Sequence, residues 1–586
     1  MWRFLLSYNG DELILDPNNN TAPRGWGEMG YTIQIDDLRT IQAEFSEKLG
    51  FNKAARTWIK EKIASDGLDI SILCYFQRKT NYIWETIISG KLNVSDYLED
   101  QFFLDVNVED SDFKTKFRMR KNNETDYNWG WSIDGSLLPG FTEEFVEIEL
   151  AQPGDPIPGH TTVKAVYPFE AFTKMLQKIT DSAYMCLKSS ILGRNNLTDN
   201  GFSENYAVNG DLSYVMISKG LLISQVDPNA NDSKVSGKTD LVLQFEKIFN
   251  TFNAIKPLGI GVETINGINY FVIEKLDYFY KNSQYTFEIG RNEISELTKR
   301  NISEFFNSKI ESGFVETKKD NDYGLGDFTG KVEYTSPLKN FKGSYSNIGD
   351  YSISPADIET ARANPVSGRS SDEKFDTDEA IFLIDCYEDS GTIYSRDNDE
   401  GFISVSGVYG TDPIYTNLRL RPTQCIYNHG RWIKTGLQNN SGENLMTNSP
   451  LAGLSKVVSK LSGQSNKITD NANISIDSLD EDSGSPILSG YEFEFSAPLT
   501  IARIQEIQND NFRFIKFWNY IDKQWDYGWI KRVSNTPTDG GKTNWLVWQP
   551  ISVTLLSGGY MQFMDSSKGY IEFMDSSKGY IEFMAS

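Results

Sequence analysis

Residues 242–280 read VLQFEKIFNTFNAIKPLGIGVETINGINYFVIEKLDYFY. Leu241, Phe245, Ile248, Phe249 and Phe252 recur at the three- and four-residue spacing of a helix with one apolar face, and Thr239 stands where an N-cap hydroxyl belongs. Pro257 closes that helix. Two runs of strand-forming residues follow, GVETI and INYFVIE, joined by Asn266-Gly267, a dipeptide suited to the positive φ angles of a tight hairpin turn. A helix feeding an antiparallel hairpin predicts a mixed α+β fold.

Working outward, the same reasoning finds mostly strands. Residues 31–37 (YTIQIDD), 69–76 (DISILCYF) and 102–110 (FFLDVNVED) carry strand patterns; in the last, Leu104, Val106 and Val108 alternate with Phe103, Asp105 and Asn107. Two further helices are predicted. Phe51, Ala55, Trp58, Ile59 and Ile63 share one face, and Pro168 opens a helix whose stripe is Phe172, Met175, Leu176 and Ile179. Residues 317–375 and 436–487 are rich in loop-forming residues. They read as long loops with short strands, candidate domain linkers or inter-subunit arms, and LAGLSKVVSKL (451–461) as a short helix within the second. The fold class is therefore α+β and β-dominated: several small antiparallel β-barrel or sandwich domains, a few packed helices, and long loops or arms.

A chain of 586 residues exceeds one core and predicts roughly three to five domains. We divide it into 1–135, β-rich with one helix; 136–300, holding the helix–hairpin unit; 301–440, β-rich with long loops; and 441–586, a loop and β domain. Aromatic residues make up 13% of the chain, enough for packed cores despite a mean hydropathy of −0.43. The formal net charge of −24 argues against coating nucleic acid through phosphate contacts; it leaves open an acidic lumen that nucleic acid passes without adhering, and solubility alone is an equally good reading of it. Cys74, Cys186, Cys386 and Cys425 are scattered without a CxxC pair, which predicts reduced thiols and no zinc site. No signal peptide and no apolar stretch of transmembrane length is visible.

Catalytic designs find little material. His160 follows a Pro-Gly turn, and His429 lies in CIYNHGRW; no HExxH, GxSxG or P-loop is present. Gly259-Ile260-Gly261 and Gly324-Leu325-Gly326 lack the rest of a dinucleotide fingerprint and read as turns. Asp397-Asn398-Asp399-Glu400-Gly401 resembles the start of a calcium loop without its downstream Glu, and Asp480-Glu481-Asp482 is a similar acidic run; both read as solvated turns. No catalytic residue, cofactor or metal is expected. A glycan-binding or glycan-cleaving protein is the alternative, needing two carboxylates and aromatic platforms. Trp525 and Trp529, with Tyr527 between them, are its candidate stacking residues.

Residues 560–586 repeat a ten-residue unit: YMQFMDSSKG, YIEFMDSSKG, YIEFMAS. Each unit alternates like a strand, and the first two end in Asp-Ser-Ser-Lys-Gly, a Gly-terminated turn; a three-strand meander is the simplest folding, and a single strand with a duplicated, redundant tail is the alternative. Tyr570, Ile571, Phe573, Tyr580, Ile581 and Phe583 are candidate assembly strand residues, because an exposed sheet edge invites pairing with a neighbour.

Four phrases, in this order, resemble tail-hub or baseplate-like virion proteins of tailed phages and prophages of Bacteroidetes, including crAss-like phages. They are LILDPNNNTAPRGWGEMGYTIQID (13–36) with FSEKLGF (45–51); IISGKLNVSDYLEDQFFLDVNVEDSDFKTKFRMR (87–120); the 242–280 unit; and GLGDFTGKVEYTSPLKN (324–340) with DIETARANP (357–365) and FDTDEAIFLID (375–385). The resemblance spans residues 1–435 and leaves out the terminal repeat. It implies a multidomain hub that forms a homo-oligomeric ring through which the genome is ejected, with other tail or portal-proximal proteins as partners. It also implies folding and assembly in the bacterial host cytoplasm before incorporation into the virion tail.

Overall fold

The structure is a computed structural model. It describes residues 2–16, 22–24, 31–35, 41–45, 48–68, 70, 72–80, 83–110, 117, 120–126, 146–150, 161–180, 186–195, 206–218, 241–265, 268–315, 331–351, 353, 381–395, 402–405, 413–415, 420–447, 457–460, 467–469, 473–481, 483–509, 513–535, 542–552, 570–572 and 580–582. Strands dominate, arranged in several small sheets with a few helices, and among the described residues no sheet closes into a barrel. Pairing is mostly antiparallel. Parallel pairs also occur, as between Asn307–Phe314 and Gly343–Gly349 and between Phe287–Ile289 and Phe514–Asn519.

The helix–hairpin unit is present, with its start moved. The helix spans Phe245–Ile255, capped at Gln244 without a side-chain hydrogen bond. Val242–Gln244 is a strand paired with Glu124–Asp126, so Leu241 precedes the helix, and Thr239 lies outside the described residues. That strand pairing takes up the backbone a longer helix would have used. Strands Leu258–Ile265 and Ile268–Lys275 pair with Ile265 opposite Ile268, which sets a two-residue hairpin loop. The loop residues themselves, Asn266 and Gly267, lie outside the described residues. Gly259 and Gly261 are strand residues rather than a turn. A Cβ would meet the Phe279 ring at 2.7 Å from Gly259 and 2.6 Å from Gly261, so the bare backbone is what lets that ring lie flat on the strand.

This unit packs into one core with the Pro168–Thr180 helix, whose Phe172, Met175, Leu176 and Ile179 are buried as the spacing predicts. Phe172 sits edge-on to Phe245 at 5.3 Å and to Phe252 at 5.6 Å between centroids. Each such fully buried aromatic stabilises the fold by about 1.5–3 kcal/mol through area removed from water.

A second core lies between two larger sheets. One runs in the order Asp11–Leu15, Trp2–Tyr8, Ile72–Thr80, Ile83–Glu99, Phe103–Asp110, Lys48–Asn52. The Lys53–Asp66 helix packs on this core through Ala55 and Ile59, while Phe51 belongs to the strand before it. The other sheet runs Phe287–Ile289, Phe514–Asn519, Gln524–Asn535, Lys542–Pro550, Leu488–Pro498, Ser295–Asn301. Tyr31–Ile35 pairs onto Gln524–Asn535, placing Ile33 opposite Val533. Leu6, Phe76, Leu104, Ile515, Phe517 and Trp545 thus share one buried cluster although they come from distant stretches of sequence.

The segment expected to be a short helix at 451–461 instead contains the strand Val457–Lys460, paired with Phe402–Val405. Adjacent valines lose rotamer freedom in a helix and fit a pleated strand, and the pairing decides the outcome. Strands Lys331–Thr335 and Gly343–Gly349 flank Asn307–Phe314, and Tyr334 is fully buried. The 317–375 segment therefore holds interior sheet as well as loop. Among the described residues no helix is long and apolar enough to cross a membrane.

Candidate functional site

The candidate glycan residues lie on the aromatic-rich sheet. On Gln524–Asn535, Trp525, Tyr527 and Trp529 fall on one face by strand alternation. Their surroundings differ sharply. Trp529 is 2% exposed. Its ring lies 4.9 Å from Phe514 and 5.3 Å from Tyr280, and its indole N–H donates to the Lys281 carbonyl at 3.2 Å. Trp432, Phe305 and Trp548 belong to the same cluster. Trp525 is partly exposed, set edge-on to Trp518 at 5.4 Å, with the Lys516 ammonium 4.3 Å from its ring centre. Lys516 in turn pairs with Glu288 at 2.8 Å, so the cation over Trp525 is held in place.

The two tryptophans therefore form no shared platform: one is framework, the other borders solvent. Trp518 and Lys516, opposite Trp525 and Tyr527 in the strand pairing, were missed in the sequence. Alternation along Phe514–Asn519 is visible there, but its partner strand is not.

His429 lies between the helices Pro422–Asn428 and Gly430–Ile433 and is 2% exposed. Its Nε2 is 2.8 Å from the Asn253 carbonyl oxygen, which can only accept, so Nε2 carries the proton. Nδ1 then accepts from the Tyr345 hydroxyl at 2.6 Å. Burial pushes the imidazole pKa down to about 4, against a smaller opposing effect of the Asn253 bond.

This neutral ring has a structural partner set. The last four carbonyls of the Phe245–Ile255 helix have no acceptor role inside the helix and need donors from elsewhere. Phe252 accepts from Lys256 N–H at 3.1 Å, Asn253 from His429, Ala254 from Asn347 Nδ2 at 2.8 Å, and Ile255 from Asn428 Nδ2 at 2.8 Å. His429 thus caps a helix end.

Other charged groups also close structural contacts. Arg431 pairs with Asp277 and donates from Nε to the Ser485 carbonyl at 2.9 Å. Asp480, in the acidic run considered for calcium, accepts from Lys434 at 2.8 Å. Asp211 is raised by burial but more strongly lowered by Lys256 and Lys275, and stays ionised far below the usual carboxylate range. Among the described residues no group of three or more His, Cys, Asp or Glu side chains is placed to hold a metal ion. His160, Gly324–Gly326 and Asp397–Gly401 lie outside the described residues.

The terminal repeat contributes two described strands. Tyr570–Glu572 and Tyr580–Glu582 pair antiparallel, with Tyr570 opposite Glu582, Ile571 opposite Ile581 and Glu572 opposite Tyr580. Phe573, Phe583 and the first unit at 560–569 lie outside the described residues.

No protein-family model matches the chain, and no curated protein does either. Solved structures with similarity include a 43 kDa tail protein of prophage MuSo2 from Shewanella oneidensis, 8% identical, covering 94% of this chain and 98% of that one at a TM-score of 0.33. A prophage tail protein from Listeria monocytogenes EGD-e is 8% identical, covering 93% and 94% at a TM-score of 0.31. The tail protein from Neisseria meningitidis MC58 is 8% identical, covering 94% and 96% at a TM-score of 0.33.

Proposed function

We propose that the chain is a structural component of a bacteriophage tail, a hub or ring subunit. In this reading it lines part of the genome-ejection channel and offers attachment points to other tail proteins. The observation that carries it is the ordered set of phrases resembling Bacteroidetes phage tail hubs. Where those phrases are described, they fall on framework: strand Phe103–Asp110 in the two-sheet core, and the helix–hairpin unit in the other. Shared framework suits a role in which shape and interfaces do the work. A net charge of −24 fits a wall past which DNA slides without adhering.

Electron microscopy of phage particles carrying a tagged, gold-labelled chain tests this. Label in a ring at the tail is the expected result; label on the capsid alone, or none on the particle, overturns it. Residues 354–375, within the candidate arm 317–375, carry a second test. Their removal spares Tyr334 and the strands around it, and should block tail assembly while the subunit stays folded.

A second reading, recognition of host-surface glycan, draws on one observation, the partly exposed Trp525–Trp518 pair. Binding to a bacterial glycan array that disappears in Trp525→Ala would favour it.

A further inference from the structure

The duplicated terminal strands pair with each other in a register that has a consequence for assembly. Tyr570-Ile571-Glu572 and Tyr580-Ile581-Glu582 are the same tripeptide, and they meet antiparallel. The Tyr of each stands opposite the Glu of the other, and the two isoleucines stand opposite one another. A strand that pairs antiparallel with its own duplicate is self-complementary. Any other copy of it, on the same chain or on a second one, can be met in the same register by a two-fold rotation.

We infer that the outer edge of Tyr580–Glu582 pairs antiparallel with the same strand of a second copy of this chain, joining two hairpins into a four-stranded sheet. In that register Ile581 stands opposite Ile581 of the second copy, and Tyr580 opposite its Glu582. Among the described residues each of the two strands has one neighbour, leaving one row of backbone N–H and C=O groups per strand for a further partner.

Two physical arguments favour this pairing. A lone two-stranded hairpin is marginal in water, whereas three or more strands reach independent stability; joining two hairpins crosses that threshold. Charge selects the direction. Like charges directly opposite each other destabilise a sheet, and a parallel in-register pairing would set Glu582 against Glu582 of the second copy. The antiparallel register sets each Glu against a Tyr, as it already does inside the chain. For a subunit carrying −24 charges this matters, because copies repel unless the contact avoids facing carboxylates.

The test uses the full chain. Sedimentation velocity over a wide concentration range should show self-association above the 66.5 kDa monomer. The double variant Ile571→Pro/Ile581→Pro removes strand N–H groups and should lose the association step that these strands provide, sedimenting as a smaller species than the wild type, with near-ultraviolet circular dichroism of the tryptophan core unchanged. Under mild oxidation Ile581→Cys should give a covalent dimer linked through residue 581. Glu582→Cys should give at least about tenfold less, because two residues of offset put those Cα atoms beyond disulfide reach. A wild-type chain that stays monomeric, a proline variant that associates as the wild type does, or equal cross-linking at 581 and 582 overturns the proposal. A chain located in the tail by gold labelling yet monomeric here would remove this pairing and leave the tail role standing.

Discussion

The core around the Phe245–Ile255 helix and the core between the two large sheets are both rich in buried aromatics, but they are assembled differently. In the first, the helix, strand and return strand follow one another, and the hairpin register is set by a two-residue loop. In the second, Phe4 shares a cluster with Phe495, and the strand Tyr31–Ile35 pairs with Gln524–Asn535. Periodicity tells which face of a segment is buried; it says nothing of which distant segment covers it. Local closure makes partner and face legible together, and long-range closure separates them.

The contrast is not complete, because the local unit depends on distant groups at its end. His429, Asn347 and Asn428 supply the donors for three helix carbonyls. Mutations can weigh these dependencies. The largest effect is expected in a third cluster, built on the Gln524–Asn535 strand: Trp529→Ala should destabilise the fold by about 3–5 kcal/mol, since it empties a fully packed site between Phe514 and Tyr280. Denaturant titration followed by near-ultraviolet circular dichroism would check this, and a loss under about 1 kcal/mol would mean the aromatic cluster is not shared framework.

Next comes the pH response of the helix end. The folded pKa of His429 is depressed to about 4 from its ordinary 6.5, so below pH 6.5 the unfolded chain takes up a proton the folded one refuses. Stability from this residue is fully present above about pH 6.5, falls as pH drops toward about 4, and changes no further below that; the total is on the order of 3 kcal/mol. His429→Gln should flatten that slope relative to the wild type in the same window. Equal slopes in the two proteins would show that the ring does not stay neutral.

A smaller loss, about 1–3 kcal/mol, is expected for Asn347→Ala, which leaves the buried Ala254 carbonyl without its donor. Hydrogen exchange should rise first in the last turn of the Phe245–Ile255 helix; protection unchanged there would detach the cap from the helix. Smallest is Trp525→Ala, below about 1 kcal/mol, because the ring is partly exposed and its main company is Trp518 and Lys516. The ratio of the Trp529 and Trp525 effects measures the distinction between framework and surface on a single strand.

Much of the β-dominated fold was legible in residues alone. The alternation of Leu104 and Val106, the stripe from Phe172 to Ile179 and the Asn266-Gly267 spacing each depend on neighbours a few positions away. Errors arose where a partner strand overrode local preference. Val242–Gln244 was drawn out of the helix by Glu124–Asp126, Val457–Lys460 became a strand against Phe402–Val405, and Gly259 and Gly261 proved to be seats for Phe279. The candidate site was less legible still, since Trp525 and Trp529 look alike in sequence and only packing separates them.

By itself, the sequence determined most of the segments that form strands or helices, the acidic and aromatic character of the chain, and the presence of a duplicated terminal strand. Those properties follow from side-chain chemistry and short-range spacing. Only the tertiary structure decided that residues near 33 and 533 share a sheet, that His429 is a neutral cap, and that the duplicated strands meet Tyr to Glu. These depend on contacts between groups far apart along the chain, where burial and hydrogen-bond satisfaction outweigh local propensity.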